Sequence, residues 1–395
     1  MREALGDIRP LASMTVRQSI RFPLLATAML ALLAGLWGGL LRLGWAMPLS
    51  RPDFLLTHGP LMVCGFLGTL IGIERAVALG RPWTYLGPLL SAAGALALIA
   101  GVSGPFAALT MTAGSVWLLL MFGCIIRAQP ALFTVTMGVG ALAWFVGNLL
   151  WLSGWPVFEV ATWWMGFLVL TIAGERLELS RFAQRSGTSE TVFLIIVVTL
   201  WAGFTSGGLA TDDGARMIGL ALLALTAWLL RYDIARRTVR QGGLTRYVAV
   251  CLLSGYVWLG LGGIMALLAG RAVAGLQYDA VLHAIFVGFV FAMIFGHAPI
   301  IFPAVAGVPV PFRSVFYSHL ALLHVSLLLR VGGDLLASLA CRQWGGLLNV
   351  VAVLLFMANT AGAVFRGRRL TTFPPPAARP RPAAQVAAPA QRSTV

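Results

Sequence analysis

Apolar residues run through this chain in blocks of about 20, the length that carries an α-helix across a bilayer. Polar residues collect in the short stretches between. Twelve such blocks are predicted, at about 23–45, 58–79, 84–103, 106–126, 131–152, 156–176, 191–209, 215–230, 247–270, 278–299, 312–333 and 337–362. Connections as short as Ser103–Pro105 and Ser153–Pro156 make neighbouring blocks antiparallel hairpins. The expected fold is an all-α, polytopic membrane protein of about twelve transmembrane helices, spanning residues 23–370. A basic leader, 1–22, enters the first block without a small-residue cleavage site, so that helix is expected to be retained. The proline- and alanine-rich stretch 371–395 cannot build a core and is expected to be a disordered cytoplasmic tail.

Composition agrees: 59% of the 395 residues are hydrophobic and 10% are charged, too few for a soluble skin. The formal charge of +15 does not imply nucleic acid, because all 28 basic residues are arginine and most sit between apolar blocks. With a cytoplasmic N-terminus, 22 arginines fall inside and six outside, namely Arg42, Arg51, Arg216, Arg271, Arg330 and Arg342. The positive-inside rule therefore predicts both termini in the cytoplasm of a bacterial inner membrane. Cys64, Cys124, Cys251 and Cys341 are far apart and form no C-x-x-C, which excludes zinc ribbons, thioredoxin-like redox pairs and c-type haem attachment. They are expected to pack as small apolar residues.

A pattern G-F-L-x6-E-R occurs in span 2 (Gly65–Arg75) and again in span 6 (Gly166–Arg176). Span 10 offers a weaker third copy, with Gly288, Phe289, and His297 where the others carry glutamate. The spacing of four helices predicts three pseudo-repeated four-helix groups. Glu74–Arg75 and Glu175–Arg176 are expected to be interfacial caps that pair with nearby loops, with a proton relay or substrate role as the alternative.

The chain has five histidines, His58, His283, His297, His319 and His324, all within or at the rim of an apolar block. An imidazole at membrane depth is a functional candidate by default. His58 opens span 2 and His283 lies five or six residues into span 10, so both sit at similar depth near one face. Two imidazoles facing each other across a porphyrin can ligate its iron and tune its potential. Met62, one turn after His58, would line such a pocket. His297 follows His283 by fourteen residues, about 21 Å along the axis, and cannot share its metal. His297 and His319 are candidates for a second haem, a copper ion or a proton role. His324 is expected to hydrogen-bond a neighbouring helix.

Twelve helices, a threefold repeat and histidines near the outer ends of helices 2 and 10 resemble subunit I of the haem–copper oxidases. In that superfamily these helices supply the axial ligands of a low-spin haem. Leu282–Phe302 (LHAIFVGFVFAMIFGHAPIIF) resembles the corresponding helix of the NnrS family, polytopic haem- and copper-containing proteins tied to bacterial nitric oxide metabolism and tolerance; His58–Arg81 matches moderately. The resemblance implies a haem b between His58 and His283, with copper or a second haem near His297 and His319. Spans 6 and 7 lack histidine and no H-x-H surrounds His283, so the oxygen-reducing binuclear centre of the oxidases cannot be assembled. The expected role is nitric oxide response or metabolism, or membrane electron transfer, with a redox partner or quinol and a small gas such as nitric oxide as partners. A proton-coupled secondary transporter and a non-catalytic assembly factor for a respiratory complex are the alternatives.

Overall fold

A computed structural model of the protein describes residues 16–48, 51, 53–180 and 187–371. The basic leader through residue 15 and the proline-rich segment from 372 lie outside them. Among the described residues there is no β-strand, and eleven helices are long and apolar enough to cross a membrane. The helices are α1 (Val16–Arg42), α2 (Phe54–Leu79), α3 (Pro82–Ala100), α4 (Phe106–Ala128), α5 (Leu132–Leu152) and α6 (Val157–Leu179). They continue as α7 (Gly187–Thr205), α8 (Asp212–Tyr232), α9 (Gly243–Ala269), α10 (Leu276–Val305), α11 (Phe316–Leu335) and α12 (Leu339–Thr371). The helix outside the eleven is α11: its 20 residues suffice in length, but His319, His324, Arg330 and Asp334 dilute its apolar content.

Lateral position follows from which helices hide their apolar surface. In α6, 83% of the most apolar stretch is buried inside the protein, against 33% in α7 and 22% in α12. The sixth helix is therefore central, and the other two present most of their surface outward to lipid. A satisfied polar network fixes α2 against α5 and α6. Trp144 donates to Cys64 Sγ (3.3 Å), Trp164 donates to Asn148 Oδ1 (2.9 Å), and the Asn148 amide donates to the Met111 carbonyl (3.2 Å). Buried polar groups are tolerated when paired in this way. Cys64 and Cys251 are buried, Cys341 is half-buried and Cys124 is exposed; all four are free thiols.

Two helices are not α-helical throughout. In α2, Leu61–Gly68 forms a π-helix three residues after His58; in α10, Ala284–Phe291 does so immediately after His283. Such i→i+5 segments are rare and recur at functional sites. They also change the angle per residue, so the fourteen-residue count that places His283 and His297 on one face of a regular helix does not carry through α10. Gly288, inside the second π segment, lies beneath Trp258 of α9; a Cβ there would fall 2.3 Å from the indole. Glycine at that point lets the two helices touch.

A paired-histidine cavity as candidate functional site

The structure brings His58 and His283 together. Their ring centroids are 6.5 Å apart and the ring planes differ by 12°. Each ring has its Nδ1 committed: His58 to the Gly35 carbonyl of α1 at 2.6 Å, and His283 to the Asp279 carbonyl at 2.8 Å. A carbonyl only accepts, so Nδ1 carries the proton in both rings and Nε2 presents its lone pair. The Arg330 Nη2, a donor without acceptor capacity, lies 3.5 Å from His283 Nε2, which agrees with that tautomer. Fixing a ligating imidazole through its other nitrogen is how proteins orient histidine on metals.

Close packing against α1 makes the His58 bond reachable. Gly35, Gly38 and Gly39 form the contact face, and a Cβ on Gly39 would sit 3.0 Å from the His58 Cε1. On the other side, the Asp279 carboxylate lies 3.2 Å from His283 Nδ1, accepts from Arg330 at 2.5 Å and stands 3.6 Å from Arg342. Asp334 joins Arg342 (2.5 Å) and faces Arg330 at 3.9 Å. One charge network thus ties α10, α11 and the start of α12 behind the second imidazole.

Between the rings and around them is a cavity of about 710 Å³, within the range of cofactor sites. Met62, Val63, Leu67, Trp164, Phe286 and Phe291 make its walls apolar, while Arg42, Arg330 and Arg342 gather on its lining. With Asp279 and Asp334, three cations face two carboxylates, an excess that suits an anionic group. A bis-imidazole metal centre has metal–nitrogen bonds of about 2.0–2.1 Å and about 1.2 Å from nitrogen to ring centre, or about 6.4–6.6 Å between centroids. The observed centroid separation of 6.5 Å falls within that range. Among the described residues no three His, Cys, Asp or Glu side chains gather to hold a bare metal ion. Two imidazoles in an apolar, arginine-edged cavity instead suit a metal that brings its own equatorial ligands.

The other histidines are placed differently. His319 is fully buried with both nitrogens engaged, by the Tyr247 hydroxyl at 2.9 Å and the Asn359 amide at 3.0 Å. His324 is likewise satisfied, by the Trp258 indole (3.0 Å) and the Ser254 hydroxyl (2.8 Å). His297 donates from Nδ1 to the Met293 carbonyl at 2.8 Å and leaves Nε2 buried without a partner. It lies in electrostatic reach of Glu74, Arg176 and Asp233, at the opposite end of the bundle from the cavity.

Arg176 caps its helix end by pairing with a connection, as expected, since Asp233 follows the last residue of α8, whereas Arg75 pairs across helices. Arg75 bridges to Glu175, a hundred residues away, and holds Glu74 at 3.2 Å, while Arg176 makes a two-pronged pair with Asp233 at 2.7 and 3.0 Å. The two copies of the repeat therefore lock to each other inside the protein. Sequence reasoning missed Asp279, which stands four residues before His283 at the spacing that puts both on one helical face. It also missed the Gly35–Gly39 contact, signalled by the small residues in GLWGGLL.

These features define a multi-pass helical membrane protein with a paired-histidine cavity near one end of the bundle. The family described as Domain of unknown function (DUF8744) matches residues 21–365, nearly all of the helical region, and the chain belongs to it. A search of curated proteins found no match to this chain.

Proposed function

We propose that this protein binds haem b in the cavity, where His58 and His283 would hold its iron. The observation that carries this is the pair of near-parallel imidazoles at 6.5 Å, each with Nδ1 donated to a backbone carbonyl so that Nε2 keeps its lone pair, with the long 3.5 Å contact from Arg330 to His283 Nε2 the one to be displaced. Arg42, Arg330 and Arg342 supply the positive edge that the porphyrin carboxylates require, and Met62, Phe286 and Phe291 exclude water from its faces. A haem ligated by two histidines supplies one-electron transfer and, having no open position, no gas chemistry unless a ligand leaves. Asp279 and Gly35 hold the ligating rings in register, so the protein's own work is orientation and charge balance around the iron.

The same reading takes α11 as a twelfth crossing, three groups of four helices, and both termini in the bacterial cytoplasm, supported by the arginine distribution. It assigns the protein to membrane electron transfer or nitric oxide response, supported by the likeness of Leu282–Phe302 to the NnrS helix. With every His319 nitrogen engaged, the structure offers no support for a copper ion or second haem at that residue.

The test is a reduced-minus-oxidised spectrum of the purified protein. Haem b bands that vanish in His58→Ala and in His283→Ala are expected. A folded, colourless protein from haem-replete cells refutes the proposal and favours a proton-coupled transporter. Addition of carbon monoxide or nitric oxide to the reduced protein reads whether any iron has an open position.

A further inference from the structure

The end of the bundle away from the cavity holds a second polar cluster, half-buried and built from the repeat itself. Arg75 serves two carboxylates, Glu74 and Glu175, while Arg176 is consumed by Asp233, which also accepts from the Tyr256 hydroxyl at 3.0 Å. Among the described residues of this cluster, two guanidiniums therefore face three carboxylates. Glu178, one turn beyond Glu175, adds further negative charge within reach of Arg75. In a low-dielectric interior an uncompensated carboxylate is expensive, and binding one proton removes the excess.

A second, independent observation points to water beside this cluster. Thr69 and Thr171, on α2 and α6, are buried with hydroxyls that have no partner; the Arg75 Nε and His297 Nε2 are also buried and unpaired. Other buried threonines, Thr57, Thr112, Thr136 and Thr226, donate to backbone carbonyls at 2.6–2.8 Å. Buried polar atoms left over after protein partners are counted are ordinarily met by internal water. These four belong to the three helices that carry the repeat. Thr69 and Thr171 lie five and four residues nearer mid-membrane than the glutamates, about 6–8 Å along the axis. Leu67, two residues before Thr69, already lines the histidine cavity.

We propose that Glu74 and Glu175 share one proton as a half-buried carboxylic acid, in contact with water among Thr69, Thr171 and His297. The site would exchange protons with the aqueous phase through Glu74, whose side chain is the more exposed of the two. A proton arriving from water adds to a Glu74 oxygen; it returns by the same route or passes through water to His297 Nε2. That nitrogen has the lone pair, because Nδ1–H already donates to Met293. Nothing in this step depends on haem.

The experiment is infrared spectroscopy of the purified full-length protein in H₂O and D₂O near neutral pH. A carboxylic-acid carbonyl band that shifts in D₂O is expected, lost in Glu74→Gln or in Glu175→Gln and moved in Glu74→Asp. Absence of any such band in the wild-type protein overturns the proposal, as does a band unchanged in both glutamine variants. Should those variants fail to fold, carbon-13 labelling of glutamate decides: a band that does not move on labelling belongs to an aspartate and overturns the proposal. Haem content is read separately from the visible spectrum, so failure here leaves the haem reading standing, and the reverse.

Discussion

Gly39→Ala adds a single methyl group at the back of His58, and the structure sets its cost. The new Cβ would stand 3.0 Å from Cε1 and 3.1 Å from Nδ1 of the imidazole. Carbon contacts are comfortable at about 3.5–4.0 Å, so the ring must retreat by about 0.5 Å or α1 must move away. Either response strains the 2.6 Å bond from Nδ1 to the Gly35 carbonyl that orients the ring. Overpacking costs about 1–3 kcal/mol and the lost hydrogen bond about 0.5–1.5 kcal/mol. If most of this falls on the ligand-bound state, haem affinity drops ~10- to 1000-fold at 1.4 kcal/mol per decade. The assay is haem titration of the apoprotein followed by its absorption spectrum. Gly123→Ala, where a Cβ meets nothing within 4 Å, is the control and is expected to titrate as wild type. A folded Gly39→Ala protein with unchanged haem affinity and spectrum would refute the assignment of His58 as an oriented ligand.

Two further outcomes follow from the charge networks. Asp279→Asn removes the carboxylate behind His283 and leaves Arg330 and Arg342 to Asp334 alone; haem affinity is expected to fall about 10- to 100-fold, as for other groups that orient ligating histidines, measured by the same titration. Asp233→Asn leaves Arg176 buried and singly partnered, and is expected to cost about 3–5 kcal/mol, seen as a lower midpoint in thermal unfolding, while haem binding in the folded fraction is unchanged.

Some of this was legible in the chain and some was not. Hydropathy located the helices because crossing a bilayer demands about 20 apolar residues regardless of neighbours. In α11, which falls outside the eleven helices apolar enough to cross a membrane, four polar side chains serve the interior: Arg330 and Asp334 in the network behind His283, and His319 and His324 in satisfied pairs. Rise per residue supplied the equal depth of His58 and His283, but that their helices are neighbours came from the resemblance to oxidase subunit I, since depth alone does not place two helices side by side. The loop partner of Arg176 was as expected, but the pairing of Arg75 with Glu175 was missed because charge at a helix end is ordinarily interfacial. Only tertiary structure reveals that two such ends face each other. The hydrogen bonds of Gly35 and Asp279 to the imidazoles depend on sub-ångström helix approach, which residue types alone do not encode. The π segments left no periodic signature, since nearly every residue in Leu61–Gly68 and Ala284–Phe291 is apolar or glycine.

Those wide turns have a consequence for how α2 and α10 vary. Each wide turn takes up about one more residue than a regular helix uses for the same rotation, so the extra residue is absorbed without turning the two ends of the helix against each other. Removing one residue within either wide turn is therefore expected to restore a regular helix there while the flanking turns, which carry His58 and Glu74 in one rod and His283 and His297 in the other, keep their facing. The widened backbone is where these two helices can gain or lose a residue at least cost to either polar end of the bundle.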